Sequence, residues 1–180
     1  MGASLWVFGY GSLMWNPGFA HSEQQVALLQ GYHRSFCMWS IHYRGTVSDP
    51  GLVLALDAAG GASCHGVAFA VAEGQEAETL AYLRDRELIS SAYREMDLAV
   101  TLQDGRPVTA TGYVVNRDHP QYCQDLGTEE QAAIIARSAG SAGRNDAYLF
   151  NTVAHLAELG IRDADLLELA DLVRAATPGR

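Results

Sequence analysis

The chain has no lysine: all twelve of its basic residues are arginine. That absence excludes a Schiff-base lysine, a phosphate-binding P-loop lysine and a serine–lysine dyad. Cysteine is nearly as scarce. Cys37, Cys64 and Cys123 are odd in number and share no metal-ligand spacing, so free thiols in a reducing cytosol are the simplest expectation. Positive charge is short as well, with 12 basic against 21 acidic residues and a formal net charge of −9. Nucleic-acid binding needs clustered positive charge to release counterions, and this balance argues against it. A small anionic substrate needs only a local group of donors and remains open. No apolar run approaches the length of a membrane span, and residues 1–6 lack the basic and apolar regions of a signal peptide. The expectation is a cytoplasmic protein with neither a membrane nor a nucleic acid as partner.

What is present is an ordinary globular composition, 48% hydrophobic and 18% charged, in 180 residues, enough for one domain with one core. Patterning predicts strands over 5–9, 26–30, 33–41, 52–56, 64–71, 93–102 and 108–115. The clearest alternation puts Met96, Leu98, Val100 and Leu102 on one face, and Asp104-Gly105 turns that strand into the next as a hairpin. A loop over 42–51 closes at Asp49-Pro50-Gly51. Three helices follow. Thr128 with Gln131 reads as a capping box before 132–139. Asn145 or Asp146 caps a second helix ending at Gly160, and Asp163 opens a third with Leu166, Leu169, Ala170 and Val173 as its apolar stripe. Strands followed by helices, rather than strict alternation, favour an α+β architecture.

One further helix is predicted between the strands, over 75–86. Leu80 and Leu83 set its buried stripe, and the same spacing continued by one turn reaches Glu87. A carboxylate there is paired, snorkelling at the helix end, or functional; if the helix stops short of it, it is a solvated loop residue. As a buried base its pKa would rise by desolvation and by the negative end of the helix dipole, a direction that suits proton transfer near neutral pH. Glu95 lies opposite the apolar face of its strand and is the weaker candidate.

Where the first strand ends, Gly9, Tyr10, Gly11, Ser12, Leu13 and Met14 form a glycine-flanked loop. Such a segment can turn successive N–H groups inward as an anion-binding nest, or it can be a plain strand-end turn. It does not fit a dinucleotide fingerprint, because Met14 stands where the third glycine is needed and no long βαβ unit follows.

The run Trp6-Val7-Phe8-Gly9-Tyr10-Gly11-Ser12-Leu13-Met14-Trp15-Asn16-Pro17-Gly18-Phe19 resembles the signature of ChaC-type glutathione-specific γ-glutamylcyclotransferases. The similarity continues through Gly31-Tyr32-His33-Arg34-Ser35-Phe36-Cys37, Tyr43-Arg44-Gly45-Thr46, Tyr82-Leu83-Arg84-Asp85-Arg86-Glu87 and Asp118-His119-Pro120-Gln121-Tyr122 to Leu159-Gly160-Ile161. Arg84 stands where that family often has an acidic or small residue. The resemblance implies a single domain over 1–180 with a mixed β-barrel of about six or seven strands flanked by helices. It also implies Glu87 as the catalytic residue, a substrate loop over Gly9, Tyr10, Gly11, Ser12, Leu13 and Met14, glutathione as substrate, and neither metal nor organic cofactor. Tyr10, Tyr122 and Tyr148 are candidate hydroxyl donors to the substrate or, equally, core tyrosines, and Arg44 is a candidate partner for its glycine carboxylate or a solvated loop residue. Oligomeric state is left open.

Two other classes of function compete. A cysteine nucleophile with a histidine base would use Cys37 or Cys64, both set in apolar strands where a buried thiol is the usual outcome. A binding module would keep the loop but gain little from a buried carboxylate. Zinc is a poor fit, since His33 and Cys37 would lie about 13 Å apart along a strand and Cys64 and His65 would point to opposite faces.

Overall fold

The computed structural model describes residues 3–88, 90–124 and 126–177. Its elements in order are β1 (Trp6–Gly9), a 3-10 turn (Ser12–Met14), β2 (His21–Ser40), β3 (Gly51–Val71), α1 (Glu76–Glu87), β4 (Tyr93–Leu102), β5 (Pro107–Val115), α2 (Thr128–Arg137), β6 (Ala139–Gly140), β7 (Gly143–Arg144), α3 (Asn145–Glu158) and α4 (Ala164–Ala176). The chain forms two compact units, one of Met1–Ser35 and Leu56–His119, the other of Phe36–Ala55 and Pro120–Arg180.

Five strands close a barrel in the order β1-β3-β2-β4-β5, with β3 pairing back to β5. The barrel is mixed: β1 is antiparallel to β3 (Trp6 opposite Ala70) and parallel to β5 (Trp6 opposite Ala110). The α+β class and the barrel match the expectation from sequence. The strand number differs, because two expected pairs of strands each run as one long strand. β2 passes through Gly31 and β3 through Gly61, both at positive φ (83° and 79°). Glycine takes that conformation without steric cost, so each strand bends where two separate strands had been predicted.

Short apolar strands explain the core. β1 sends Trp6 and Phe8 into a cluster with Leu56, Ala68, Leu98 and Val100. Its intervening Val7 packs on the other face with Leu13, Val71, Leu83 and Tyr113. Both faces of β1 are therefore buried, which is why its sequence reads as a continuous apolar run. Leu83 comes from α1, so this second cluster is where that helix meets the barrel. The β4 stripe is buried at Leu98, Val100 and Leu102, while Met96 at its start is exposed.

In the other unit, helices α2, α3 and α4 bury Ile135, Leu149, Leu156, Leu169 and Val173. Asp163 caps α4, accepting from the Leu166 amide at 3.1 Å, as its position predicts. Two other expected caps do not form. The N-cap of α2 is Gly127, and Gln131 instead reaches back to the Leu126 carbonyl at 3.1 Å. The N-cap of α3 is Arg144, so Asn145 is already helical and its side chain is spent elsewhere. Asn145 is fully buried, accepts from the Leu52 amide at 2.8 Å and donates to the Leu52 carbonyl at 2.7 Å.

This side-chain clamp on a strand backbone gives a measurable prediction. Asn145→Ala strips partners from two buried backbone groups, each worth roughly 1–3 kcal/mol when left unpaired. Urea unfolding of the variant should show a loss of about 2–6 kcal/mol; a loss below about 0.5 kcal/mol, the range of ordinary surface changes, would contradict the assignment of a structural clamp.

Candidate active site

α1 lasts as far as Glu87, its final residue, with the Leu88 amide closing the last turn onto the Arg84 carbonyl. Leu83 is wholly buried, and Glu87 follows it by one turn on the same stripe. The Glu87 side chain is accordingly only 20% exposed. Burial pushes its pKa above the ordinary carboxylate value, and the neighbouring Arg86 pulls in the opposite direction. Arg86 Nε lies 3.5 Å from Glu87 Oε1.

A second carboxylate in this unit goes the other way. Glu95 on β4 takes a two-pronged bond from Arg84 on α1, at 2.9 and 2.8 Å, and a third from the Tyr113 hydroxyl at 3.1 Å. The Arg84 bond, ahead of the cost of burial, holds Glu95 below the ordinary range. Tyr113, opposite Glu95 on β5, is pushed up by burial first and then by the charges of Glu95 and Glu87. The two carboxylates are thus tuned apart, Glu95 lowered first by its Arg84 bond and Glu87 raised first by desolvation.

The loop after β1 is built from below and from the side. Gly9 ends the strand opposite Val67, and the Met14 amide closes the 3-10 turn onto the Gly11 carbonyl at 2.9 Å. Leu13 and Met14 are buried and anchor the turn, while Gly11 has open space around it. The amides of Gly11, Ser12 and Leu13 lead into this turn, where no earlier turn of helix supplies them with carbonyls. Arg34, buried beneath, donates to the Tyr10 carbonyl at 2.6 Å and the His65 carbonyl at 2.5 Å, with Met14 Sδ at 3.9 Å. Arg86 meets the loop from the helix, donating to Ser12 Oγ at 2.9 Å and the Asn16 carbonyl at 2.8 Å. One guanidinium therefore touches both Glu87 and the loop.

Tyr10 packs its ring partly against the barrel core. Tyr122 and Tyr148 belong to the other unit. There Tyr122 bridges to Met38, and the Tyr148 hydroxyl accepts from the Leu54 amide at 3.4 Å. Arg44 stacks over the Tyr148 ring at 5.3 Å and donates to the Arg144 carbonyl at 3.1 Å. It is a half-buried structural cation rather than a freely solvated loop residue. Cys37, Cys64 and Cys123 are free thiols and all buried, with burial pushing Cys123 up to about 11. A buried neutral thiol is a poor nucleophile. Among the described residues no three His, Cys, Asp or Glu side chains gather as metal ligands. Sequence reasoning had missed Arg34 and Arg86; the visible signal for the first was an arginine inside an apolar strand.

A family model described as ChaC-like protein matches residues 5–176. A glutathione-specific γ-glutamylcyclotransferase of Escherichia coli K12 is 38% identical over 92% of this chain and 71% of its own. Glutathione-specific γ-glutamylcyclotransferase 1 of Danio rerio is 36% identical over 91% of this chain and 84% of its own. The crystal structure of a γ-glutamylcyclotransferase specific to glutathione from yeast superposes with a TM-score of 0.86 over 99% of both chains; at 22% identity it shows a shared fold.

The opposed carboxylates carry opposite pH signatures. The raised Glu87 pKa makes its ionisation a cost to the fold, absent below the unfolded value of about 4.3 and complete once pH passes the native value. Glu87→Gln should therefore melt higher than the parent at pH 8, with the difference fading as pH falls through that window. Glu95→Gln should show the opposite sign at pH 8, since its lowered pKa stabilises the fold above the ordinary carboxylate value. Matching melting curves for both variants at pH 8 would refute this.

Proposed function

The chain belongs to the ChaC-like family, and from that premise we propose that it cyclises the γ-glutamyl group of glutathione, releasing 5-oxoproline and cysteinylglycine. The observation that carries the chemistry is the largely buried Glu87 at the end of α1, its pKa raised by desolvation, tied through Arg86 to the loop after β1.

The reaction is an intramolecular acyl transfer. Glu87 as carboxylate takes a proton from the α-ammonium of the γ-glutamyl residue. The freed amine attacks the γ-carbonyl, forming the C–N bond of a five-membered lactam and a tetrahedral oxyanion. Collapse breaks the original amide bond; the nitrogen of cysteinylglycine takes the proton that Glu87 returns, and the extra proton of the ring nitrogen passes to it as well, so that it leaves as an ammonium and the lactam is neutral. Nothing is oxidised or reduced, and no second substrate enters. Because nucleophile and electrophile share one molecule, the larger part of the protein's task is to hold a bent conformer. In our reading the amides of Gly11, Ser12 and Leu13 receive the α-carboxylate or the developing oxyanion, with Gly9, Tyr10 and Met14 shaping the loop. Tyr122 and Tyr148 are proposed as further contacts to the substrate.

The raised pKa supports the base assignment: a glutamate at its ordinary value would hold the abstracted proton too weakly to return it near neutral pH. Three free, buried cysteines support a cytoplasmic location. No helix of the described residues is long and apolar enough to cross a membrane.

Purified protein incubated with glutathione should yield 5-oxoproline and cysteinylglycine in equal amounts without added metal. Glu87→Gln should cut kcat by about 10²–10⁴-fold, the usual worth of a positioned acid–base group, while glutathione still binds. Full turnover in Glu87→Gln would sink the assignment. Loss of turnover in a folded Cys37→Ala or Cys64→Ala would point to a nucleophilic thiol, and binding without turnover in the parent would point to a module.

A further inference from the structure

We propose that Arg86 is a positioning residue that clamps the loop after β1 onto the last turn of α1, so that the loop amides and the Glu87 carboxylate act as one rigid unit. The proposal rests on Glu87 being the base and adds a residue that acts through it.

The geometry is a planar fork filled on every side. Nη2 donates to Ser12 Oγ at 2.9 Å. Nη1 donates to the Asn16 carbonyl at 2.8 Å, the Pro17 carbonyl at 3.4 Å and the Tyr82 hydroxyl at 3.0 Å. Nε faces Glu87 Oε1 at 3.5 Å, an ion pair rather than a tight hydrogen bond. Only 21% of the Arg86 side chain is exposed. The loop is pressed close at the same place: Gly18 has φ of 76°, and the Tyr82 hydroxyl occupies the space a Cβ there would need. Arg86 and Tyr82, one turn apart on α1, thus grip both ends of the segment that follows β1.

Most of these partners are neutral oxygens, which satisfy the N–H groups without cancelling the charge. Arg86 therefore does two separable things. It fixes the loop by bridging acceptors from Ser12 to Pro17, and it supplies the positive field that offsets part of the burial of Glu87. Tyr113 from β5 feels the Glu87 charge and is kept neutral first by burial, and Tyr113 in turn bonds Glu95 from β4, which Arg84 holds ionised; Arg86 is among the causes of neither shift. Lysine can reproduce the field as a point charge, but its single ammonium cannot span Ser12 Oγ and the Asn16 carbonyl together.

Arg86→Lys and Arg86→Ala separate the two effects. Both should raise KM for glutathione by about tenfold or more, the scale of one lost charge-assisted hydrogen bond, and both should speed amide hydrogen exchange over residues 10–18. Only Arg86→Ala should move the acid limb of kcat/KM, and the carboxyl-carbon NMR midpoint of Glu87, to higher pH. Restoration of parent KM and exchange by Arg86→Lys would overturn the clamp, as would unchanged exchange in Arg86→Ala. If Arg86→Ala does not fold, Arg86→Lys carries the KM and exchange measurements alone. Exchange and titration need no turnover. If the parent fails to cyclise glutathione while those two differences persist, the clamp stands and the assigned reaction falls.

Discussion

The burial of Leu83 against Val7, Val71 and Tyr113 is the contact on which the rest of the site depends. It docks α1 on the outer face of the barrel and fixes the rotation of the helix about its axis. Once that rotation is set, the helical repeat leaves Glu87 no choice of side. Its carboxylate must share the face that Leu83 buries, and it loses water in doing so. The proton affinity of the site is therefore a consequence of hydrophobic packing one turn earlier.

Two arginines on the same helix then divide the electrostatics. Arg84 binds Glu95 with both prongs at under 3 Å and holds it ionised. Arg86 stands farther from Glu87, 3.5 Å away, and gives most of its donors to the loop. Distance and partner decide the outcome: the close bidentate pair locks one carboxylate ionised, and the looser one leaves desolvation dominant at the other. With no lysine in the chain, the guanidinium's several directed N–H groups serve as both charge and scaffold.

Much of this was legible in the residues. β1, the hairpin of β4 and β5, α1, the Asp163 cap and the stripe of α4 lie where patterning put them, since each rests on local periodicity or turn chemistry. The misreadings share one cause. Gly31 and Gly61 looked like strand breaks but are bends, because pairing with neighbouring strands outweighs the local preference to turn. Thr128 and Asn145 looked like caps. Gly127 took the first position, and the buried side chain of Asn145 serves the backbone of Leu52, a partner 93 residues away that no local rule contains.

The sequence by itself determined that Glu87 would fall on a buried stripe if the helix reached it, that the loop after β1 could present its amides, and that a lysine chemistry was impossible. It also carried the family, in motifs spread along the chain. Only the tertiary structure decided which arginine meets which acceptor. The reach of Arg86 to Ser12 and Asn16 spans 74 residues or nearly so, and Arg34 finds the Tyr10 carbonyl across 24. A side chain's spacing along its own helix says which way it points, but the oxygens it meets are brought there by the closure of the barrel.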